Sequence, residues 1–132
     1  MDKPHTILVA DRNSHVREFL KRELIAEGYD IRLAKSSREI LKLAYRLQPL
    51  DLIILDLDLP DIDEESLFSK LQERIPLLPI VIHSFQSDGV KNSVNYEHVV
   101  FVEKKGNSIE KMKKVVDDIL SSRKTGQPSP AK

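Results

Sequence analysis

The sequence predicts a doubly wound α/β domain, with a five-stranded parallel sheet covered by helices on both faces. Three observations predict it. Five short, strongly apolar runs recur along the chain, and stretches with helical apolar spacing separate them. The polar residues that end those runs also form one chemically coherent group, as expected where the strands of such a sheet finish side by side.

The first run, Thr6 to Ala10 (Thr-Ile-Leu-Val-Ala), is nearly all apolar, as a strand buried on both faces should be. Asp11 to Ser14 supplies turn residues and a helix N-cap, and Val16, Phe19, Leu20 and Leu24 follow at helical spacing. Gly28 stands where a C-cap glycine belongs. Tyr29 to Ala34 reads as a partly exposed second strand. Ser36 and Glu39 have capping-box spacing, Ile40, Leu43, Ala44 and Leu47 mark a second helix, and Pro49 closes it. Leu50 to Leu55, the most hydrophobic run, is the expected central strand. A loop rich in aspartate and proline, Asp56 to Glu64, leads to a third helix marked by Leu67, Phe68, Leu71 and Ile75 and stopped by Pro76. Pro79 to Ile82 is a fourth strand. Phe85 to Glu97 is polar and weakly periodic, so a helix there would be short or irregular. Val99 to Val102 is a fifth strand, and Ile109, Met112, Val116, Ile119 and Leu120 make the last helix. The domain is expected over 5–121, with 122–132 a flexible C-terminal tail rich in proline, glycine and serine.

Composition narrows the function classes. The chain has 132 residues, 40% of them apolar and 32% charged, which fits one domain with a core of its own. Lys plus Arg equals Asp plus Glu at 21 each, so nothing in the balance points to nucleic acid or an anionic membrane. The absence of cysteine excludes disulfides, thiol ligands and thiol catalysis. No apolar run approaches the roughly 20 residues of a membrane span, and the N-terminus lacks a signal-peptide core, so a cytoplasmic location is expected. No phosphate-binding glycine loop occurs, and His5, His15, His83 and His98 lack metal-ligand spacing.

Asp11 follows the first strand, Asp56 the third, Ser84 the fourth and Lys104 the fifth. Taken singly, each has a bland explanation as a capping or solvated residue. Together they would share one pocket. A carboxylate there can act as a nucleophile toward a phosphoryl group, with the lysine supplying positive charge and the serine a hydrogen-bond donor for the transferred oxygens.

From about Thr6 to Leu120 the chain resembles the receiver domain of two-component response regulators. The resemblance rests on Ile-Leu-Val-Ala-Asp (7–11), Val-Arg-Glu-Phe-Leu (16–20), Leu-Asp-Leu-Asp-Leu-Pro (55–60), Pro-Ile-Val-Ile-His-Ser (79–84) and Phe-Val-Glu-Lys (101–104), in that order. It implies a flavodoxin-like, three-layer α/β/α fold. It also implies Asp56 as phosphoacceptor, Ser84 as switch hydroxyl, Phe101 as switch aromatic and Lys104 as phosphate-binding lysine. Such domains use Mg²⁺, here through Asp11, Asp56 and the backbone carbonyl of Asp58. They take their phosphoryl group from a histidine kinase or phosphotransfer protein and signal by contact with a downstream protein, with no enzyme activity expected. No nucleic acid or membrane partner is expected, and the chain should be a monomer or weak dimer.

The pattern breaks at several places. The family has two adjacent acids after the first strand, but here Asp11 is followed by Arg12. Losing a ligand anion and gaining a fixed cation should weaken Mg²⁺ binding or abolish it, because the ion needs near-octahedral oxygen ligation. Arg12 could instead replace the ion, the alternative being that its side chain simply turns into solvent. A guanidinium about 4 Å from Asp56 would interact by ~4 kcal/mol at an effective dielectric of about 20. Lys105 stands where a proline, often cis, is common, so a trans, differently shaped loop is expected. Glu64 replaces a usual glycine, and the Ser84-to-Lys104 spacing is short. Partner choice should therefore be unusual. Asp61, Asp63, Glu64 and Glu65 read as a helix N-terminus rather than a metal site.

Three functions compete. The chain could be a single-domain response regulator phosphorylated on Asp56, or a pseudo-receiver that binds partners independently of phosphorylation, with Arg12 fixing one state. The third is a small phosphatase using Asp56 and Asp58 as an Asp-x-Asp pair. Such phosphatases carry their pair after the first strand of a longer chain, which counts against the third.

Overall fold

The computed structural model describes residues 4–46, 49–85 and 96–124. Five strands run β1 (Thr6–Ala10), β2 (Asp30–Ala34), β3 (Leu52–Leu55), β4 (Ile80–Ser84) and β5 (Val99–Glu103). All are parallel, in the order β2-β1-β3-β4-β5. Four helices are described: α1 (Ser14–Ala26), α2 (Ser37–Arg46), α3 (Glu64–Gln72) and α4 (Ser108–Lys124). The helix expected over 85–97 falls largely on 86–95, outside the described residues. The last helix runs to Lys124, past the expected end of the domain at 121, and 125–132 lie outside the described residues.

Every residue of β1, β3 and β4 is buried, while β2 and β5 alternate as sheet edges do. Side chains alternate between two cores because successive residues of a strand point to opposite faces. Leu8, Ile53, Leu55, Ile80 and Ile82 join Ile40 and Ala44 of α2 and Leu67, Phe68 and Leu71 of α3. Ile7, Val9, Leu52, Ile54 and Val81 join Leu20 and Leu24 of α1 and Met112, Val116 and Leu120 of α4. On β4 this alternation turns Ser84 toward the α2–α3 side and His83 toward α1 and α4.

Local signals place the helices. Asn13 caps α1, accepting from His15 N at 2.8 Å. Gly28, with φ +100°, ends α1 in a conformation that side-chain-bearing residues rarely adopt, and its N–H donates to the Ile25 carbonyl at 2.9 Å. At α2, Ser36 accepts from Glu39 N, while the Glu39 carboxylate reaches back to Lys35 N, one residue before the cap. Asp63 caps α3, with Glu64 and Glu65 in the first turn where the helix dipole favours them. Strand order reverses between β1 and β3, so the carboxyl ends of these two strands open the crevice in which such sheets bind ligands.

Candidate functional site

Asp11 and Asp56 occupy the positions just beyond β1 and β3, on adjacent strands at the switch point. Ser84 ends β4, and Lys104 follows β5. The Lys104 N–H donates to the Ser84 carbonyl at 2.8 Å, which continues the β4–β5 pairing and aims the lysine back over the sheet ends. Its ammonium reaches both acids, at 2.9 Å from Asp11 Oδ2 and 3.5 Å from Asp56 Oδ2. The carboxylates are 2% and 1% exposed and the lysine 11%, so this ion triad is nearly withdrawn from water.

Backbone donors complete the pocket. Asp56 Oδ1 accepts from Asp58 N at 3.0 Å, and Asp56 Oδ2 lies 3.5 Å from Arg12 N. Asp11 Oδ1 accepts from Asn13 N at 2.9 Å. Ser84 Oγ accepts from Leu57 N at 3.3 Å, the residue after Asp56, which leaves its own hydroxyl hydrogen available for an incoming oxygen. Burial pushes the Asp11 carboxyl above the ordinary carboxylate range. The Asn13 N–H and Lys104 oppose that rise, and the Asp56 charge adds to it. Phe101, on β5, is half-buried against the core on the α2–α3 side, the side to which Ser84 points. The four strand-end residues are thus brought together as expected.

The family model for the response regulator receiver domain matches residues 7–117. The chain belongs to that family. The receiver is 33% identical over 82 residues to the DNA-binding transcriptional regulator NtrC of Proteus hauseri, and 37% identical over 79 residues to the response regulator MprA of Mycolicibacterium vanbaalenii. Those matches take in 62% and 60% of this chain but only 17% and 34% of the relatives' lengths. Among solved structures it is similar to the response regulator TrrA of Thermotoga maritima, in complex with Mg²⁺ and BeF. The identity is 27% and the TM-score 0.75, over 87% of this chain and 98% of that one.

The receiver departs from expectation at Arg12. Its guanidinium makes no ion pair with Asp56 among the described residues. The side chain is exposed, and only its backbone N–H faces the acceptor carboxylate. The reason is local: Lys104 already occupies the space beside both acids. The cation that sequence reasoning missed is Arg17. One turn into α1, its Nη1 donates to the carbonyls of Asp11, at 2.6 Å, and Arg12, at 3.2 Å, tying down the loop that carries both. The available signal was its helical spacing from the loop.

The residues present do not fit a Mg²⁺ centre. Both Asp11 oxygens are committed to N–H donors, the neighbouring position brings a guanidinium in place of a carboxylate, and an ammonium bridges the two remaining acids. Among the described residues no group of three or more His, Asp or Glu is arranged to hold a metal ion. Asp58 is exposed, and its N–H rather than its side chain engages Asp56.

The Lys104–Lys105 bond is trans, as the missing proline suggested, the one cis bond among the described residues being Ile75–Pro76. Beyond Lys104 a cleft of ≈ 340 Å³ opens between α1, the end of β4 and the β5–α4 loop, lined in part by Phe19, His83, Phe85 and Ser108. Phe85 is 65% exposed and its ring lies 5.3 Å from the Lys104 ammonium, a cation–π contact that helps hold the lysine in place. His83 is buried, with Nε2 3.3 Å from Ser108 Oγ and Nδ1 without a partner. Burial first, and the Lys104 charge second, hold its imidazole down at about 4, with Asp56 opposing.

Proposed function

We propose that this chain is a signalling receiver that accepts a phosphoryl group on Asp56. The observation that carries this reading is the Lys104 ammonium standing within 3.5 Å of both Asp11 and Asp56 at the switch point of the sheet. In the acceptor step a carboxylate oxygen of Asp56 forms a bond to phosphorus while the bond from phosphorus to the donor's imidazole nitrogen breaks, its electron pair leaving on that ring. Lys104 then shifts from Asp11 toward the new phosphoryl oxygens, and the Ser84 hydroxyl donates to another. Phosphorylation replaces the single negative charge of the carboxylate with about two on a phosphoryl group carrying three strong acceptors, which is enough to draw both residues inward. Movement of Ser84 leaves space on the α2–α3 side of β4 into which Phe101 can turn.

The donor on this reading is a histidine kinase or phosphotransfer protein, and the output is contact with a downstream protein rather than catalysis. A cytoplasmic location is the matching expectation. No helix among the described residues is long and apolar enough to cross a membrane.

A second reading, a pseudo-receiver that binds partners without phosphorylation, has its own support. The Asp56 carboxylate is 1% exposed and already compensated by Lys104, so the resting site lacks the open carboxylate that a phosphoryl donor needs. Intact-mass measurement after incubation with acetyl phosphate separates the two. A one-phosphoryl adduct that disappears in Asp56→Asn supports the acceptor reading, and the absence of any adduct supports the pseudo-receiver. Turnover of a generic phosphate ester, lost in Asp58→Asn, would favour the Asp-x-Asp phosphatase over both.

A further inference from the structure

Position 12 carries the largest change of local charge that one side chain can make. A carboxylate there contributes −1 and the guanidinium of Arg12 contributes +1, a difference of two positive units. That is the charge of the divalent ion held at the family's acidic pair. The surrounding geometry agrees with the sum. Lys104 neutralises the space between Asp11 and Asp56, and Arg17 adds a cation at the carbonyls of Asp11 and Arg12. With exposed Asp58 included, three acids stand among three cations. A balanced cluster leaves a further cation no net attraction, and an incoming phosphoryl group then needs a cation free to turn onto it.

Arg12 is placed to do so. Its backbone nitrogen lies 3.5 Å from Asp56 Oδ2, so the side chain starts at the acceptor. Its guanidinium is exposed and makes no side-chain hydrogen bond or ion pair among the described residues, so it gives up no contact of its own in turning back over Asp56 once Lys104 shifts onto the phosphoryl oxygens.

We propose that Asp56 is phosphorylated without a divalent cation, the Arg12 guanidinium taking the ion's place on the phosphoryl oxygens. The inference rests on Asp56 being the acceptor. With acetyl phosphate as donor, an Asp56 carboxylate oxygen forms a bond to phosphorus. The bond from phosphorus to the acetyl oxygen breaks, and its electron pair leaves on acetate, which needs no proton. The guanidinium pairs with two of the transferred oxygens through its fork of N–H donors, Lys104 takes the third, and the Ser84 hydroxyl donates to one of the two that the guanidinium holds.

The test uses the full chain with acetyl phosphate, in EDTA and in Mg²⁺, followed by intact mass. The wild type should label at the same rate in both, and Asp56→Asn should not label. Arg12→Gln should slow labelling roughly 100-fold, the usual cost of removing one donor from a developing oxyanion. Arg12→Lys should recover part of that loss, and Arg12→Asp should label only with Mg²⁺. As a readout independent of labelling, Mn²⁺ should broaden the NMR amide signals of residues 11–13 and 56–58 in Arg12→Asp but not in the wild type.

Labelling of the wild type only with Mg²⁺ would overturn the inference and leave Asp56 standing as acceptor. Arg12→Gln labelling as fast as the wild type in EDTA, or Mn²⁺ broadening in the wild type, would overturn it as well. No adduct under either condition would remove the acceptor reading itself, and the inference with it.

Discussion

The Lys104 ammonium lies 2.9 Å from Asp11 Oδ2, in a pair almost closed to solvent. Asp56 shares the same ammonium at 3.5 Å, so two buried acids depend on one cation. Lys104→Met should therefore cost about 3–5 kcal/mol at neutral pH, the usual penalty for leaving buried charge unpaired. Urea denaturation measures it.

The pH dependence of that loss has a definite sign. Burial raises the Asp11 carboxyl above its ordinary value, so the folded state takes up a proton more readily than the unfolded chain. The contribution of this group to stability is present below its unfolded pKa and declines as pH rises through the folded one. Lys104→Met should thus be least harmful in acid, and Lys104→Met with Asp11→Asn should recover much of the loss at pH 7. A penalty equal at both pH values and unrelieved in the double variant would show that Lys104 acts through packing alone.

His83 gives the opposite pH slope. Its imidazole titrates at about 4 in the folded chain, against an ordinary histidine value of 6.5. Between these values the unfolded chain holds a proton that the folded chain does not. The stability is complete above 6.5 and is lost as pH falls toward 4. The full effect is about 3 kcal/mol. His83→Leu should flatten the curve of unfolding free energy against pH across that window. Parallel wild-type and variant curves would remove His83 as the source.

The five-stranded parallel sheet with helices on both faces and the cluster of Asp11, Asp56, Ser84 and Lys104 were legible because each follows from local pattern. Buried strands read as apolar runs, and one rule places their ends together. What was not legible is which cation wins a contested carboxylate. Arg12 and Lys104 both could reach Asp56, and the sequence does not state that Lys104 approaches along the sheet while Arg12 starts from a loop held by Arg17. The acidic loop was read as one helix N-terminus, but it serves two. Asp63 caps α3, whereas Asp61 crosses to α2, a contact between residues 24 apart that no local spacing announces.

Arg74 is another long-range anchor. Buried at 4% exposure, it donates from Nε to the Ala44 carbonyl in α2 at 2.5 Å and from Nη1 to the Pro76 carbonyl at 2.9 Å. Both carbonyls would lose a charged donor in Arg74→Met, and the buried Ala44 carbonyl would have no water to replace it. We expect a loss of about 2–4 kcal/mol, read as a lower urea midpoint at unchanged slope. A change within about 0.5 kcal/mol of wild type, the scale of an ordinary surface substitution, would mean that neither carbonyl depends on Arg74.

Asp61 links the loop that begins at Asp56 to the start of α2. Its Oδ1 accepts from Ser37 N at 2.7 Å, its Oδ2 from Arg38 N at 3.1 Å, and its carbonyl from the Ser37 hydroxyl at 3.1 Å. The Ser37 N–H is the main cause of a carboxyl held below its ordinary range. A depressed carboxylate stabilises the fold above its unfolded pKa, and the contribution disappears as pH falls through the folded value. Asp61→Ala should lower the melting temperature at pH 7 and lose that difference in strong acid, while Asp61→Asn should keep part of the cap. Because the same loop carries the acceptor, hydrogen exchange should quicken in Asp61→Ala at Ser37 and Arg38 and also at Leu57 and Asp58. Faster exchange confined to α2 would show that the cap holds the helix alone and leaves the acceptor loop to be positioned by Ser84 and Lys104.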